Sequence, residues 1–552
     1  MHSRRSWQSL SFFALTALLG CAGAEESLEP APAAPAPPVA EAALAASGWE
    51  RTLVQAGLAD PEVYKENDDL FFLTGTGDSR SIPIYETNDL TAFRFKLGYN
   101  PSVVDPVYDY CLLWAPDLNK SNGAYTLTFS GQRVANGAAC PAAGLEVTTF
   151  SASAPDLNLR FGVPQPINPG TTYPRSLITT GCVAEGCNRT VRIDAATYND
   201  PTGRWFFYVW FDRGNNISAF NTAAPGTVYN VTGPALNALP AMEEGINEAP
   251  EIIKRNGIYY LLFSHGWYNS QYAMSYIMAD SLPQLTRARA VRRLSQAMRN
   301  ASGQLIQSHG HNAIVERRGE YFNFFHVGAF QPAGTFTSRS TYKQKVGFKP
   351  DGTMHSLNQV TVRWPHKAGY SYSLDLVLRD GSVVGPCLDV NRLGTANKVT
   401  FDGVCFSAGN RMVNKGDIAA MRIYYANNGV WGPFAEAAYD GISDDVLVSL
   451  PGGAPAFVDL TWNEKQTGAQ YSIDVQRRDT GAWIGPCIGV NSVNKSLAWT
   501  YSGQCTTPGI NVPLSNISTF RICSAVNGDW SRATCGATAY DGQGMHVPVL
   551  IP

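Results

Sequence analysis

One pattern recurs five times in the first two thirds of the chain, and no other feature limits the fold so tightly. A short polar-plus-small motif opens each copy; a few apolar residues, a turn and an aromatic-rich run follow. The copies are "DPEVYKENDDLFFLTG" from Asp60, "WAPDLNKSNGAYTLTFSG" from Trp114, "IDAATYNDPTGRWFFYVWF" from Ile193, "EAPEIIKRNGIYYLLFS" from Glu248 and "GHNAIVERRGEYFNFFHVG" from Gly310. Nine or ten residues separate the aligned positions Asp60, Ala115, Asp194, Ala249 and His311 from the first aromatic of the second strand, which is the length of two β-strands joined by a turn. The sequence between copies has room for two more strands each and shows no helical periodicity. Five four-stranded units in series, at spacings of roughly 50–80 residues, fit a five-bladed β-propeller better than a β-sandwich. The propeller is expected over residues 49–355.

A second repeat follows. "VTVRWPHKAGYSYSLDLVLRDGSVVGPCLDVN" from Val360 parallels "VDLTWNEKQTGAQYSIDVQRRDTGAWIGPCIGVN" from Val458, and both copies run on through a cysteine, Cys405 or Cys505, to "AYDG". Period-two alternation in "YSLDLVL" and "YSIDVQR" predicts strands. Two small disulfide-containing β-modules are therefore expected, over 356–450 and 456–552, with "SLPGGAPAF" at 449–457 as the joint. Trp431, Trp483 and Trp530 are their candidate glycan-binding aromatics; a bracing role for the modules is the alternative. The whole chain reads as all-β.

The N-terminus points to export. Arg4 and Arg5 precede an apolar run too short to span a bilayer, ending in "LLGC" at Cys21. This resembles a bacterial lipoprotein signal over 1–20, with Cys21 carrying the lipid and providing the one membrane attachment; cleavage after "AGA" to give a secreted protein is the alternative. Residues 21–48 are rich in Pro and Ala and read as a tether. Of the 11 cysteines, processing spends or removes Cys21 and leaves an even set. Five short-range pairs suggest themselves: Cys111–Cys140, Cys182–Cys187, Cys387–Cys405, Cys487–Cys505 and Cys523–Cys535. None has the spacing of a zinc thiolate site. A net charge of −3 with mixed signs gives no reason to expect a nucleic-acid partner.

In a propeller the inner strands start at the central channel, so the aligned positions and their immediate neighbours converge. The converging set is Asp60, Trp114, Asp194, Glu248 and His311. Clustered carboxylates repel and lose solvation, so a purely structural channel would avoid them. Two carboxylates flanking a bond suit glycoside hydrolysis, one protonated to assist the leaving oxygen and one taking a proton from water. Glu243, Glu244, Asp117 and Glu251 are expected in loops or facing outward. His265, His309 and His326 are further candidates, the aromatic strand around His326 suggesting packing.

The order Asp-Pro, Trp-Ala-Pro, Ile-Asp, Glu-Ala-Pro, Gly-His resembles glycoside hydrolase family 43, the five-bladed arabinanases, arabinofuranosidases and xylosidases, over roughly residues 55 to 345. The resemblance implies Asp60 as general base, Glu248 as general acid and Asp194 as modulator of the acid's pKa. It implies an inverting reaction, with base and acid about 6.5–9.5 Å apart. Trp114 would wall a sugar subsite, and His311 would contact substrate or, through water, an ion. No cofactor is required for the chemistry, although a structural calcium in the channel is compatible with the resemblance. The expected partner is plant cell-wall polysaccharide containing arabinose or xylose, arabinan first, acted on by a monomer. The alternatives are a β-xylosidase or arabinofuranosidase on arabinoxylan oligosaccharides, and a non-catalytic glycan-binding surface lipoprotein. Ala195 departs from the family's "IDP" and removes a proline that would stiffen the turn at Asp194.

Overall fold

Two-residue turns make all five inner hairpins. Asn122-Gly123, Asn256-Gly257 and Arg318-Gly319 have φ between 50° and 85° at both positions, which matches the right-handed twist of the flanking strands. The architecture is that of a computed structural model describing residues 48–552, except 141–146, 168–191, 211–215, 224–227, 232–246, 287–289, 366–368, 428, 432–433, 451–457, 466–468, 502, 508, 513, 527 and 541–545. The signal, Cys21, most of the tether, the Cys182–Cys187 pair, Glu243 and Glu244 lie outside the described residues.

The chain is all-β, and each sequence copy supplies the first two strands of one antiparallel sheet. The first sheet runs Ala59–Asn67, Leu70–Thr76, Ile82–Thr87, Arg94–Tyr99, and the second Tyr108–Ser121, Ala124–Ala135, Thr148–Ala154, Gln165–Pro166. The third is Arg192–Asp200, Gly203–Trp210, Asn216–Asn221, Val228–Asn230; the fourth is Asn247–Arg255, Ile258–His265, Ala273–Ala279, Arg292–Arg293. The fifth joins Leu305–Arg317, Glu320–Phe330 and Phe336–Val346. Its outer strand is Thr52–Gln55 from the start of the described chain, antiparallel to Phe336–Val346.

A single backbone device links these sheets. At the aligned position of every first strand the ladder slips register. There φ turns positive, at 48° for Asp60, 45° for Ala115, 55° for Asp194, 53° for Ala249 and 47° for His311. Such a bulge leaves an amide unpaired in its own sheet. The neighbouring sheet takes it up: Ala115 N–H donates to Thr76 Oγ1 (2.9 Å), Asp194 N–H to Ser130 Oγ (3.1 Å) and Ala249 N–H to Asp194 Oδ2 (3.0 Å). His311 N–H donates to Ser264 Oγ (2.7 Å), and Asp60 N–H to His326 Nδ1 (3.2 Å), which returns the ring to its first sheet.

Apolar side chains fill the gaps between neighbouring sheets. Phe72, Tyr125 and Phe129 lie between the first and second, Phe207, Leu261 and Phe263 between the third and fourth, and Phe71, Val315 and Phe324 between the fifth and first. Burying each is worth about 1.5–3 kcal/mol. The slipped positions are thereby held at the centre of the ring.

The two C-terminal repeats share one strand order. In the first, Val360–Arg363 pairs antiparallel with Lys398–Phe401 and parallel with Asp445–Leu447; in the second, Val458–Trp462 does the same with Ala498–Tyr501 and His546–Val549. Each has its own buried core, around Trp364 and Tyr372 or around Trp462 and Tyr471. Disulfides join Cys387–Cys405, Cys487–Cys505, Cys523–Cys535 and, in the second sheet of the ring, Cys111–Cys140.

Candidate active site

Asp60, Asp194, Glu248 and His311 meet at the centre of the ring. All four are enclosed, and Nδ1 of His311 lies 3.4 Å from Asp60 Oδ1 and 4.0 Å from Asp194 Oδ2. Trp114 stands one residue before its slipped position, partly exposed, and packs against the core between the third and fourth sheets. The structure therefore brings together the residues that the repeats align.

Their surroundings differ sharply. Asp60 accepts from Thr76 Oγ1 at 2.6 Å and from Arg339 Nη1 at 2.8 Å. Burial alone would raise its pKa, but Arg339 and His311 outweigh burial and hold the carboxylate well below the usual range. Glu248 has one close donor, the Tyr272 hydroxyl, 3.0 Å from Oε2. Burial pushes its pKa up to about 7, helped by the Asp60 charge and opposed by the Tyr272 hydrogen bond. Asp194 is likewise raised to about 7, mainly by burial, then by Glu248 and Asp60, with His311 pulling the other way. One carboxylate is thus kept ionised and two are kept near neutrality within one site, the separation that general acid–base chemistry needs.

His326 meets both expectations for it. It packs, with its ring stacked on Tyr272 at 5.4 Å and 15°, and its Nδ1 also lies 3.2 Å from Asp60 Oδ1. Thr76, Ser130, Val209, Ser264 and His326 face Ala59, Trp114, Ile193, Glu248 and Gly310 across the inner hairpins. Four of these five partners are polar in otherwise apolar strands, and those four take the inter-sheet amide. Val209 cannot, so the Asp194 carboxylate does it instead, which fixes that side chain. Arg339 and Tyr272 lie outside the repeated motif, and no pattern marked them.

Asp117 and Glu251 turn the other way from expectation. With Glu62 they form a second acidic layer; burial comes first and their mutual repulsion next in raising Glu62 and Glu251, while Asp117 rises to about 6 and accepts from Thr197 Oγ1 at 2.6 Å. The bulge inserts a residue, so the position three places beyond Trp114 or Glu248 shares their face instead of opposing it. His309 instead bonds Arg51 Nη1 at 2.8 Å, tying the N-terminal strand to the fifth sheet. His265 is buried, and burial lowers its pKa to about 4.

Among the described residues no group of three or more His, Cys, Asp or Glu could hold a metal ion. Nδ1 of His311 faces Asp60 and Asp194, and no step below passes through an ion.

Clustered carboxylates with separated protonation tendencies are what glycoside hydrolysis uses. Residues 50–354 match the model of glycosyl hydrolases family 43, and the chain belongs to that family. It is 32% identical over 137 residues to the β-D-galactofuranosidase xynD of Aspergillus niger, a match spanning 24% of this chain and 36% of that protein, so about a third of the curated relative's length is represented. Among solved structures, the α-L-arabinofuranosidase of Lactobacillus brevis matches with TM-score 0.41 and 19% identity over 55% of this chain and 94% of that one. The xylan β-1,4-xylosidase of Bacillus halodurans C-125 matches with TM-score 0.41 and 14% identity, covering 72% and 93%. Residues 50–354 thus place the chain among the glycosyl hydrolases by family.

Proposed function

We propose that the five sheets are the blades of one propeller whose centre hydrolyses glycosidic bonds with inversion, in pentose-containing plant polysaccharide and in arabinan first. The observation that carries this reading is the split in protonation between Asp60, held ionised, and Glu248, raised to about 7. Glu248 gives its proton to the leaving glycosidic oxygen as the bond to the anomeric carbon breaks. Water attacks that carbon from the opposite face and passes its proton to Asp60. Asp194 is the modulator: it feels repulsion from Glu248, which helps to raise its own pKa, and it positions the turn that carries Glu248 through the Ala249 amide. Trp114 offers the ring of a sugar an apolar wall, and His311 a neutral hydrogen-bonding edge. The domain boundaries, export, and a lipid at Cys21 belong to the same reading, as does an ion near His311 held through water.

The test is a panel of debranched arabinan, arabinoxylan and aryl glycosides of arabinose, xylose and galactofuranose, with the anomer of the first product read by NMR. Release of pentose with inverted configuration, abolished by Asp60→Asn and Glu248→Gln, is expected. A retained anomer would reject the mechanism, and cleavage confined to galactofuranosides would reject the substrate. Release from none of the panel, with equal glycan binding by wild type and Glu248→Gln, would leave the glycan-binding alternative standing.

A further inference from the structure

The two C-terminal repeats act as internal controls for one another. Their central strands superpose residue by residue: Asp375 faces Arg422 in the first, Asp474 faces Arg521 in the second, and each acid packs on the glycine of a Gly-Pro-Cys edge strand, Gly385 or Gly485. Across the same sheet, the row two residues away differs in kind. In the first repeat it runs Val383, Val377, Ala420, Ala438. In the second it runs Trp483, Gln476, Thr519, Ala539.

The arginines follow the change. Arg422 pairs with Glu436 and lies over Phe434, within its own repeat. Arg521 is fixed by Asp474 (Nε to Oδ2 2.8 Å) and lies over Trp483, 4.2 Å from the ring centroid. The guanidinium braces the indole, and Asp474 neutralises the guanidinium. Trp483 nonetheless stays 39% exposed, beside a Gln476 carboxamide oxygen that accepts from Thr519 Oγ1 at 3.0 Å.

From this contrast we infer that the second repeat carries a glycan-binding site, with Trp483 as its stacking platform and Gln476, Thr519 and Arg521 as its polar edge, and that the first repeat does not. A rigid aromatic plane beside paired amide, hydroxyl and charge-neutralised groups fits a neutral sugar ring, whose C–H face packs on the indole while its hydroxyls reach the polar edge. A charged ligand is disfavoured because Asp474 already satisfies Arg521. The ligand is a neutral polysaccharide of the class that the proposed activity would cut, and this choice of ligand rests on that reading.

Native affinity gels containing debranched arabinan or arabinoxylan test this, using the full chain in a Glu248→Gln background so that nothing is consumed. Trp483→Ala should weaken retardation at least tenfold, Trp483→Phe should keep most of it, and Val383→Ala should change nothing. With an active centre, Trp483→Ala should lower the rate on polymer while leaving an aryl pentoside unchanged. Unaltered retardation in Trp483→Ala, or none for the parent on either polymer, overturns the inference. Binding that depends on Trp483 in a chain that hydrolyses no pentoside would uphold this site while rejecting the proposed activity.

Discussion

A Cβ placed on Gly310 would fall 1.9 Å from Cδ1 of Tyr272, so the bare backbone of the fifth sheet is what admits the ring whose hydroxyl reaches Glu248. The same ring lies flat on His326, beside Asp60. One tyrosine thus touches the surroundings of both the candidate acid and the candidate base, and a glycine of the neighbouring sheet decides whether it fits.

Gly310→Ala should displace the Tyr272 ring and unseat its hydrogen bond to Glu248. Overpacking of this kind costs about 1–3 kcal/mol, and misplacing a catalytic group by 1 Å costs about a hundredfold in rate. Thermal unfolding and kcat/KM measured on the same preparation should fall together. Unchanged kinetics would show that Tyr272 does not position the acid.

Tyr272→Phe keeps the ring and removes the donor. The hydroxyl stabilises ionised Glu248 and so lowers its pKa; without it that pKa rises. A general acid works protonated, and activity fades as pH climbs through its pKa. The alkaline limb of the pH–kcat/KM profile should therefore move to higher pH, a displacement that simple loss of packing would not produce.

Arg339→Met acts on the other limb. Its guanidinium is the strongest influence holding Asp60 ionised against burial, so its loss should raise the Asp60 pKa. A base works deprotonated, and the acidic limb should move up in pH with kcat falling by about a hundredfold. Arg339→Lys should restore part of the shift. An acidic limb that stays in place in Arg339→Met would remove the arginine from the mechanism.

Stability should also register the buried acid. Glu248 has a folded pKa of about 7 against 4.5 in its ordinary state, so between those values the folded protein binds the extra proton. Its contribution is fully favourable below the unfolded value and is lost as pH rises towards 7. Glu248→Gln should consequently be more stable than wild type at pH 8, on the order of 2–3 kcal/mol, and nearly equal to it at pH 4. Denaturant titrations at both values distinguish this from a mutation that merely loosens packing.

Much of the site was legible before any coordinates because the repeats carried the register. Two-residue turns and a constant distance to the aromatic strand put Asp60, Asp194 and His311 at one level and Glu248 one residue ahead of it, which is where the slipped ladders place them. His326 was legible only as a candidate, because its otherwise aromatic strand pointed to packing and gave no sign that it lies opposite Gly310 and next to Asp60. Asp117 and Glu251 were misread for a physical reason: strict alternation holds along a regular strand, and a bulge resets it.

By itself the sequence determined the number of hairpins, their register and the set of acids brought to the centre, since these follow from local turn chemistry and strand length. Only the tertiary structure decided which acid is ionised. That depends on Arg339 at 2.8 Å from Asp60 and Tyr272 at 3.0 Å from Glu248, both from segments outside the repeated motif. It depends as well on how completely each carboxyl is cut off from water, and desolvation and charge pairing act through space, where linear spacing carries no record of them.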